Sequence, residues 1–564
     1  MLAPLRRWIV PSQFSRELRT DGLTPIVAAV LFARGITDAN GFLLPPPPAD
    51  GPLPLDLDRA VERLRVAVAR GERIVVYGDY DVDGIAGTAI LVRALRAYGA
   101  TDVRTYIPNR YEEGYGLNEA ALRSLRAAGS GVVVSVDCGV TAVHEVAVAR
   151  SIGLDLIVTD HHHPPSRLPE AFALVNPRRA GDPSPDKDLA GSGVAYQLAR
   201  ALLGERFEAV ASACLQLAAV ATVADVVPLR GANRWLVREG LVELNRTPLV
   251  GLRALAKRGG VRVGGIEAYH IGFVLGPRLN AAGRLADAED ALRVLLTEDE
   301  AEATALADSL ELRNEERQRL TREVVAAARE RAALLGDAPM LVAADPDWPA
   351  GIVGLAASRL VEEFGRPAAV IAIDGDLGRG SCRSIAEVHI AEVLARCGDL
   401  FTRHGGHAMA AGFSLPATNI ALLPERLGTV VLDAVGGRMP EPTLRIDLEV
   451  TVDELVQPAT IRALRALEPT GSQNPRPLFL LRGAAIVDVR RMGADHLRCK
   501  VRAGRWTVDA VAFGRGEVVE AAQGEERLDL VFALGSGIFG GERGGVLQLE
   551  LRDFASSDIV ATMV

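Results

Sequence analysis

The stretch GDYDVDGIAG, residues 78–87, places three aspartates at alternate positions directly after an apolar run. That run, Ile74–Tyr77, predicts a short buried β-strand, and Ala86–Tyr98 has the apolar spacing of a helix. In an extended segment every second side chain points the same way, so three carboxylates can converge on one point: Asp79, Asp81 and Asp83. Gly84 would then let the chain turn into the helix without a steric penalty.

The chain from about residue 57 to residue 230 alternates short apolar runs with stretches of helical period. The predicted strands are Ile74–Tyr77, Val103–Ile107, Val132–Val136 and Leu156–Val158. The predicted helices between them are Ala86–Tyr98, Asn118–Ala128 and Val143–Ile152. Such alternation predicts a mostly parallel sheet with helices on both faces, which is the α/β class.

Acidic residues recur where these elements end. Asp137 follows one predicted strand, and the next is followed by Asp160, His161 and His162. Asp225 ends the apolar run Ala209–Ala224, which predicts a buried helix too short to span a bilayer. Ligand sites of open α/β sheets lie beyond the carboxyl ends of the strands, so these side chains are candidates for a single site.

The four acidic segments contain no lysine or arginine, so the clustered carboxylates would repel one another unless a cation neutralises them. Carboxylate oxygens with one or two imidazoles suit Mn²⁺ or Mg²⁺, and this set is large enough for two ions about 3.5–4 Å apart. A calcium loop of the EF-hand type would need a glutamate at its twelfth position, where this chain has Ile90. A lone aspartate could be a helix cap, but four such segments together favour a metal site.

The rest of the chain predicts further domains. Residues 1–52 form a lead-in with a proline-rich linker, and residues 53–296 hold the first α/β domain. Residues 297–336 have no Pro or Gly before Gly336 and predict one long connecting helix, with a coiled coil as the alternative. Residues 337–438 predict a second α/β domain with a glycine-rich turn at 375–384. Residues 439–564 are rich in short strands and predict a small β-barrel.

The composition is ordinary for a large globular protein, and the cysteine usage favours a cytoplasmic one. The 564 residues are enough for about three or four domains, with 24% charged and 49% hydrophobic residues. A net charge of −9 requires that any nucleic-acid groove be locally basic. Five widely spaced cysteines form no CxxC pair, which favours reduced thiols. The first residues lack the apolar core of a signal peptide.

The motifs match those of a known family in the same order. DYDVDG (79–84), VDCG (136–139), TDHH (159–162) and VADVVPL (223–229) resemble the motifs of the DHH phosphoesterases. Within them, the chain resembles the RecJ exonucleases through GPRLNAAGR (276–284), GSCRS (380–384), GGHAMAAG (405–412) and LEPTGSQNPRPLF (467–479). The resemblance covers about residues 70–555, and one position departs from it. Where relatives have Trp-His before a glycine-containing run, this chain has Trp348 and Pro349.

The resemblance implies a metal-dependent exonuclease that degrades single-stranded DNA from its 5′ end to mononucleotides, in DNA repair and recombination. It implies a DHH domain, a long helix, a DHHA1-type domain and an OB-fold, with two Mn²⁺ or Mg²⁺ ions. It also implies a helicase and a single-strand-binding protein as partners, and we expect a monomer. Two alternatives are a small-substrate DHH phosphoesterase (a pyrophosphatase, or a cyclic-dinucleotide or oligoribonucleotide hydrolase) and a non-catalytic binding protein. The barrel argues against the first and the intact acidic set against the second.

The same resemblance implies roles for single residues. Six are expected to ligate the metals: Asp79, Asp81, Asp83, Asp137, His161 and Asp225. Asp137 is the candidate bridge between the two ions. Asp160 is expected to ligate a metal or to orient His161, because a ligating imidazole needs an acceptor that fixes its tautomer. His162 is expected to contact the scissile phosphate or to assist the leaving group.

Candidate substrate contacts lie in several other segments. A glycine-bounded loop is expected to present Arg278, Asn280 and Arg284. Four further candidates for binding the 5′ phosphate lie near glycines, which let backbone N–H groups approach a phosphate: Ser381, Arg383, Ser384 and His407. Base stacking and phosphate contact are expected of Arg110, Tyr111 and Tyr115, with a packed loop as an equal alternative. The β module adds seven basic residues and three candidate rings that could equally be core: Trp506, Phe479 and Phe513.

Overall fold

The computed structural model describes residues 4–10, 22–48, 51–110, 112–285, 287–493, 496–514, 522–523, 525, 527–535 and 547–558. The chain forms two compact units: Met1–Glu311 with Leu444–Val564, and Leu312–Thr443. Within the described ranges, no helix is both long enough and apolar enough to cross a membrane. All five cysteines lie in these ranges, and each is buried and free.

The first unit is built on a five-stranded parallel sheet. It begins with β1 (Arg7–Ile9), α1 (Pro25–Ala33), α2 (Ala39–Leu43) and α3 (Leu57–Ala69). Then follow β2 (Arg73–Gly78), α4 (Val82–Tyr98), β3 (Val103–Tyr106), α5 (Glu119–Ala127), β4 (Ser130–Val136), α6 (Val143–Ser151), β5 (Asp155–Thr159) and β6 (Ala173–Val175). The strand order is β3-β2-β4-β5-β6, and every pair is parallel. The central strands are continuous apolar runs because both faces of such a sheet are covered, so the predicted parallel sheet is confirmed.

A group of helices follows this sheet in the chain. They are α7 (Gly191–Leu203), α8 (Ala211–Ala224), α9 (Gly231–Leu244), α10 (Val250–Arg258), α11 (Ala268–His270), α12 (Gly276–Leu285), α13 (Glu289–Leu296) and α14 (Glu300–Leu334). A single π-helical turn, Ile271–Leu275, joins α11 to α12. The apolar helix α8 packs with α4 and α7 in the main core, as its composition predicted. The predicted long helix is α14, with 35 residues.

The second unit contains a mixed sheet. Its elements are β7 (Leu341–Asp345), α15 (Val353–Phe364), β8 (Ala368–Asp374), β9 (Leu377–Arg383), α16 (Ile390–Arg396), β10 (Arg403–Gly406), β11 (Ala410–Pro416) and α17 (Leu423–Ala434). The strand order is β10-β11-β9-β8-β7, with only β7 and β8 parallel. The expectation of a glycine-rich turn over 375–384 is wrong, because most of that stretch is strand β9, paired on both sides.

The C-terminal part of the first unit is a closed barrel. β12 (Thr443–Arg445) pairs with β1 in a separate two-stranded sheet. The barrel module that follows contains β13 (Leu448–Glu449), α18 (Val452–Leu455), α19 (Pro458–Leu464), β14 (Phe479–Met492), β15 (His496–Ala503), β16 (Trp506–Ala512), β17 (Leu528–Leu534) and β18 (Gln548–Ser556). Pairing of β14 with β17 closes five strands, as expected for an OB-fold. Apolar residues of α1 and α2 belong to the barrel core, so the N-terminal segment packs on this module.

Candidate metal centre

The register of the parallel sheet brings three acidic residues side by side at its carboxyl edge. The N–H of Asp79 donates to the carbonyl of Val136 (3.2 Å), and the N–H of Asp137 donates to that of Thr159 (3.0 Å). The N–H of Asp160 continues the pattern on the next strand, β6 (3.0 Å). Each aspartate therefore lies one residue beyond its strand and is fixed by the neighbouring strand, at the edge where α/β sheets form their sites.

The second and third aspartates of the opening motif are held by helix N-termini. Asp81 is the N-cap of α4, and its Oδ1 accepts the N–H groups of Asp83 (2.9 Å) and Gly84 (3.1 Å). The Asp83 carboxylate accepts from the N–H groups of Gly191 (2.6 Å) and Ser192 (2.9 Å) at the start of α7. The expectation of an extended segment is therefore wrong, because the helix already begins at Val82. Helix starts, rather than β alternation, aim these carboxylates.

Gly84 serves a different purpose from the one expected of it. It lies inside α4, and a Cβ there would be only 2.5 Å from the backbone N and O of Asp79. Only glycine lets the first turn of the helix approach the end of β2 this closely. Because residue 84 has no side chain, Asp79 can lie close to the carboxylates of Asp81 and Asp83 at the start of α4.

A histidine joins the carboxylates of different elements. His161 Nε2 lies 3.0 Å from Asp137 Oδ1 and 3.7 Å from the Oδ2 atoms of both Asp83 and Asp225, the C-cap residue of α8. Three groups have potential ligand atoms within 4.8 Å of one another: Asp79, Asp81 and Asp137; Asp83, His161 and Asp225; Asp137, His161 and His162. All six residues expected to bind metal are members of these groups, and Asp137 belongs to two of them.

Two backbone positions in the centre are strained. Asp137 has φ 62° and Val226, directly after Asp225, has φ 59°, and both values lie in the left-handed region. This conformation is uncommon outside glycine and is an outlier for a β-branched residue such as valine. Strained backbone of this kind persists where the surrounding structure imposes it, and it clusters at functional sites.

Burial and mutual repulsion dominate the electrostatics. Burial, reinforced by the neighbouring carboxylates, raises the pKa of Asp79, Asp81, Asp137 and Asp225. Burial lowers the pKa of His161 to about 4, so its imidazole is neutral at pH 7, which is the form that binds metals. A bound cation would offset this repulsion, because a nearby positive charge stabilises the ionised carboxylates.

Asp160 and His162 form a separate ion pair beside the carboxylates. Burial works against both charges, yet their hydrogen bond (2.8 Å from His162 Nδ1 to Asp160 Oδ1) lowers the pKa of Asp160 and raises that of His162. Asp160 also accepts the backbone N–H groups of His161 (2.7 Å) and Val140 (2.8 Å). The expectation that Asp160 orients the His161 ring is wrong, because it fixes the ring of His162 instead.

Several buried polar atoms of the centre lack a hydrogen bond within the described part of the chain. They are Asp79 Oδ1, Asp137 Oδ1, and both ring nitrogens of His161. The 3.0 Å approach of His161 Nε2 to Asp137 Oδ1 lacks hydrogen-bond geometry. An unsatisfied buried polar group costs about 1–3 kcal/mol, and four at one point indicate a missing partner. Carboxylate oxygens with a neutral imidazole fit Mn²⁺ or Mg²⁺.

Comparisons with known proteins agree with this geometry. Residues 73–222 match the model of the DHH family, N-terminal domain; residues 337–431 match the DHHA1 domain, and residues 446–553 the RecJ OB domain. Single-stranded-DNA-specific exonuclease RecJ of Bacillus subtilis (strain 168) is 38% identical over 545 residues, covering 94% of this chain and 69% of the relative. The Escherichia coli (strain K12) relative of the same name is 34% identical, with 92% and 94% covered. The chain belongs to the RecJ family.

A solved structure of the family shares the overall architecture. The crystal structure of RecJ in complex with Mn²⁺ from Thermus thermophilus has a TM-score of 0.81 and 33% identity, covering 98% of this chain and 79% of that chain. The predicted combination of a parallel-sheet DHH domain, a DHHA1 domain and an OB barrel is confirmed.

Two of the three aromatic and basic residues expected near the metals, Arg110 and Tyr115, lie beside the acidic residues of the centre. The hydroxyl of Tyr115 donates to the carbonyl of Asp137 (3.0 Å) and lies 3.2 Å from His162 Nδ1. The Arg110 guanidinium lies 4.9 Å from the ring centre of Tyr80. Tyr111 lies outside the described residues. The structure thus brings Tyr115 into contact with Asp137 and places Arg110 where its charge acts on Asp79.

The segment with Arg278, Asn280 and Arg284 is not the glycine-bounded loop that we expected. It is helix α12, whose Gly283 packs so closely on Tyr80 that a Cβ would lie 2.5 Å from the Tyr80 carbonyl oxygen. Asn280 Oδ1 accepts the N–H of Val82 (3.2 Å), so it steadies the start of α4. Arg278 pairs with Glu311, which neutralises its charge, and Arg284 lies at the C-terminal end of the same helix.

The remaining candidates lie in the second unit. Arg383, at the end of β9, donates to Ser381 Oγ (2.9 Å) and to the carbonyl of Cys382 (2.8 Å). Ser384 is buried and donates to the carbonyl of Val388 (2.7 Å), which indicates a structural role. His407 is exposed between β10 and β11. Of the barrel rings left open between stacking and core, Phe479 is fully buried against Phe532 and is therefore a core residue, whereas Phe513 is half exposed.

The sequence argument missed the residues that hold the aspartates. Gly191 and Ser192 supply the N–H groups for Asp83, and Gly283 makes room for the opening motif. A glycine-serine-glycine run at 191–193 beginning a helix is a signal for an anion site, and here the anion is a carboxylate of the same chain. Nothing in the sequence pairs that run with Asp83, since 108 positions separate them.

Proposed function

We propose that the chain is a metal-dependent exonuclease that degrades single-stranded DNA in the 5′ to 3′ direction to mononucleotides. The observation that carries the proposal is the convergence of five aspartates and a neutral histidine around buried, unsatisfied ligand atoms. The named activity of the relatives and the OB module, which suits a polymeric single strand, support this substrate class.

In this proposal two divalent cations would be held by six residues, with Asp137 as the candidate shared ligand because it belongs to two of the ligand groups: Asp79, Asp81, Asp83, Asp137, His161 and Asp225. When bound, such a pair supplies Lewis-acid activation of water and neutralises charge on the scissile phosphate. His162 remains protonated to higher pH because Asp160 accepts from it, so it can donate to a phosphate oxygen or to the leaving oxygen. Tyr115 fixes the backbone of Asp137 through its hydroxyl.

In the second unit, we assign the terminal phosphate of the strand to Arg383, Ser381 and His407. Arg383 is oriented by the Ser381 hydroxyl, and a Cβ on Gly354 would lie 3.2 Å from its Nη2, so the glycine leaves that guanidinium room. A guanidinium beside hydroxyl groups suits a phosphate through charge-assisted hydrogen bonds. We further propose that the protein acts as a monomer in the cytoplasm. A helicase and a single-strand-binding protein would supply its single-stranded substrate.

The test uses end-labelled 5′-phosphorylated single-stranded DNA, single-stranded RNA, duplex DNA and pyrophosphate, each with Mn²⁺ and with EDTA. We expect release of mononucleotides from the 5′ end of single-stranded DNA alone, abolished by EDTA. Asp137→Ala should lose this activity while keeping its circular dichroism spectrum. Preferential hydrolysis of pyrophosphate, or cleavage near the wild-type rate by Asp137→Ala, would contradict the proposal.

A further inference from the structure

The loop between β3 and α5 contacts the metal centre. It carries Arg110 and Tyr115, and the Tyr115 hydroxyl donates to the backbone carbonyl of Asp137 (3.0 Å). The Tyr115 ring also meets the His162 ring edge to face, with ring centres 5.7 Å apart. Tyr115 is 45% exposed, and exposed loops with few buried contacts open easily. The position of this ring beside the metal centre therefore depends on what holds the loop itself.

One carboxylate in this loop, that of Glu113, accepts three hydrogen bonds. Its Oε2 accepts from the Tyr106 hydroxyl (2.7 Å) and from Asn118 Nδ2 (2.7 Å). Its Oε1 accepts the backbone N–H of Asn109 (3.2 Å). The three donors lie at the end of β3, at the start of the loop and at the N-cap of α5. Because hydrogen bonds to an ionised acceptor are stronger than neutral ones, this single side chain ties the two ends of the loop together.

The donors to Glu113 are themselves anchored in the interior of the domain. Asn118 Oδ1 accepts the N–H of Ala121 (2.7 Å) and so caps α5, while its Nδ2 also donates to the Tyr77 hydroxyl (3.3 Å). Tyr77 has no solvent exposure, and its ring is stacked on that of Tyr106 with centres 4.9 Å apart. Its hydroxyl donates to the carbonyl of Gly116 in the loop (3.0 Å). Glu113 thus connects the loop to β2, the strand that leads into the opening motif.

The neighbouring glutamate shows that these contacts are specific to Glu113. Glu112 and Glu113 are both exposed in the same turn. The backbone N–H of Glu112 donates to Asn109 Oδ1 (3.3 Å), but its carboxylate has no partner among the described residues. An exposed glutamate can usually be replaced with little effect on stability. Three donors gathered on one exposed carboxylate indicate instead that Glu113 sets the conformation of the loop.

We propose that Glu113 is a positioning residue for the cleavage reaction, whose carboxylate holds Arg110 and Tyr115 in place before the DNA strand binds. The inference rests on the proposed function and on the DNA contacts expected of these two side chains. Glu113 is in none of the three groups of metal-binding residues, so it acts through the loop and not through the ions. A loop that is already ordered loses less entropy on binding. Loss of Glu113 should therefore appear in KM rather than in kcat.

The test measures cleavage of a 5′-phosphorylated oligothymidylate by the full chain with Mn²⁺. Glu113→Ala should raise KM about 5- to 100-fold, as expected when two side chains must be ordered at binding, and should change kcat less than about twofold. Glu113→Gln should recover most of the lost affinity, because its amide oxygen can still accept from Tyr106 and Asn118. The matched control is Glu112→Ala, which should change neither constant. Calorimetry should give the wild-type Mn²⁺ affinity for all three variants.

A second comparison separates positioning from general stability. In a chain that already carries Arg110→Ala and Tyr115→Ala, adding Glu113→Ala should raise KM less than about twofold, because the side chains that it positions are gone. An increase as large as in the wild-type background would overturn the inference, and so would an unchanged KM in the single variant. Weaker Mn²⁺ binding by Glu113→Ala would also overturn it, because the residue would then support the whole centre.

Hydrogen exchange gives a readout that does not depend on cleavage. In Glu113→Ala the amides of residues 112–118 should exchange at least about tenfold faster, while those of β4 should be unchanged. Unchanged exchange over residues 112–118 would overturn the inference whatever the activity. Failure of the wild type to cleave DNA, together with the expected exchange, would contradict the proposed function and still support the role of Glu113 in fixing the loop.

Discussion

Arg234 should hold the barrel module to the metal-centre domain. This side chain of α9 has no solvent exposure, and its guanidinium donates to the carbonyls of Ala466 (3.0 Å), Leu467 (3.2 Å), Glu468 (2.7 Å) and Pro469 (3.1 Å). Burial lowers the pKa of Arg234 to about 10, so it stays charged at pH 7. These four charge-assisted bonds hold the carbonyls of residues 466–469 in one fixed arrangement, and these residues include the start of the motif at 467–479.

We predict the effect of Arg234→Met, which keeps most of the apolar volume and removes all four donors. The side chain of Asn474 also donates to the carbonyls of Leu467 (2.9 Å) and Pro469 (2.8 Å), so two carbonyls lose their side-chain donor: those of Ala466 and Glu468. Ala466 is exposed and Glu468 is half-buried, so water can replace part of the lost donors. At about 1–3 kcal/mol for each fully buried unsatisfied group, about 2–6 kcal/mol is therefore the upper limit of the loss in local stability. The desolvation cost of the guanidinium is relieved in the variant, which favours the lower half of that range.

The assay is native-state hydrogen exchange followed by mass spectrometry. We expect the free energy of opening to fall by about 2–4 kcal/mol over residues 466–474, because the loop loses its donors. The amide of Leu229 should follow, since it donates to the carbonyl of Ser472 (2.9 Å), while strand β4 should be unaffected. Because Leu229 lies four residues after Asp225, we also expect weaker Mn²⁺ binding in calorimetry.

The matched control is Arg238→Met, one turn further along α9. Arg238 is partly exposed and donates to a single carbonyl, that of Leu43 (3.0 Å), so its loss should cost less than about 1 kcal/mol. Unchanged exchange over residues 466–474 in Arg234→Met would refute the reasoning. An equal loss of protection in β4 would refute it as well, because it would mean global rather than local destabilisation.

Three further predictions concern the metal centre. Gly84→Ala should weaken Mn²⁺ binding at least about tenfold, because its Cβ would meet the Asp79 backbone at 2.5 Å, and calorimetry would check this; wild-type affinity would contradict it. Asp160→Asn should lower the pKa of His162, so the upper limb of the pH–rate profile should move to lower pH; an unmoved limb would exclude the pair from catalysis. The carboxylates with raised pKa stabilise the metal-free fold below about pH 4, and this stability is lost as pH rises through their folded pKa. The unfolding temperature without metal should therefore fall as the pH rises above the ordinary carboxylate range, and the increase caused by Mn²⁺ should grow; Asp137→Asn should show a smaller pH dependence, and a flat profile would contradict the argument.

Much of the fold and of the metal set could be predicted because the signals are local. Apolar runs of strand length that alternate with helical periods dictate a parallel sheet, and polar residues directly after such runs must lie at its carboxyl edge. Asp79, Asp137 and Asp160 satisfy this condition from the sequence alone, as their hydrogen bonds to the neighbouring strands confirm. The identity of the ligands also restricts the metal, since carboxylates and imidazole suit Mn²⁺ or Mg²⁺.

Only the tertiary structure decided how the carboxylates are aimed and what surrounds them. Asp81 and Asp83 are oriented by helix N-termini, one of them 108 residues away in the chain, and such long-range pairing has no local signal. Arg278 and Ser384 resembled phosphate ligands in the sequence, yet Glu311 and the Val388 carbonyl take their hydrogen bonds. Residue type and spacing determined which side chains gather at the sheet edge. The hydrogen-bonding partner of each side chain depends on packing between distant segments, which a single sequence does not specify.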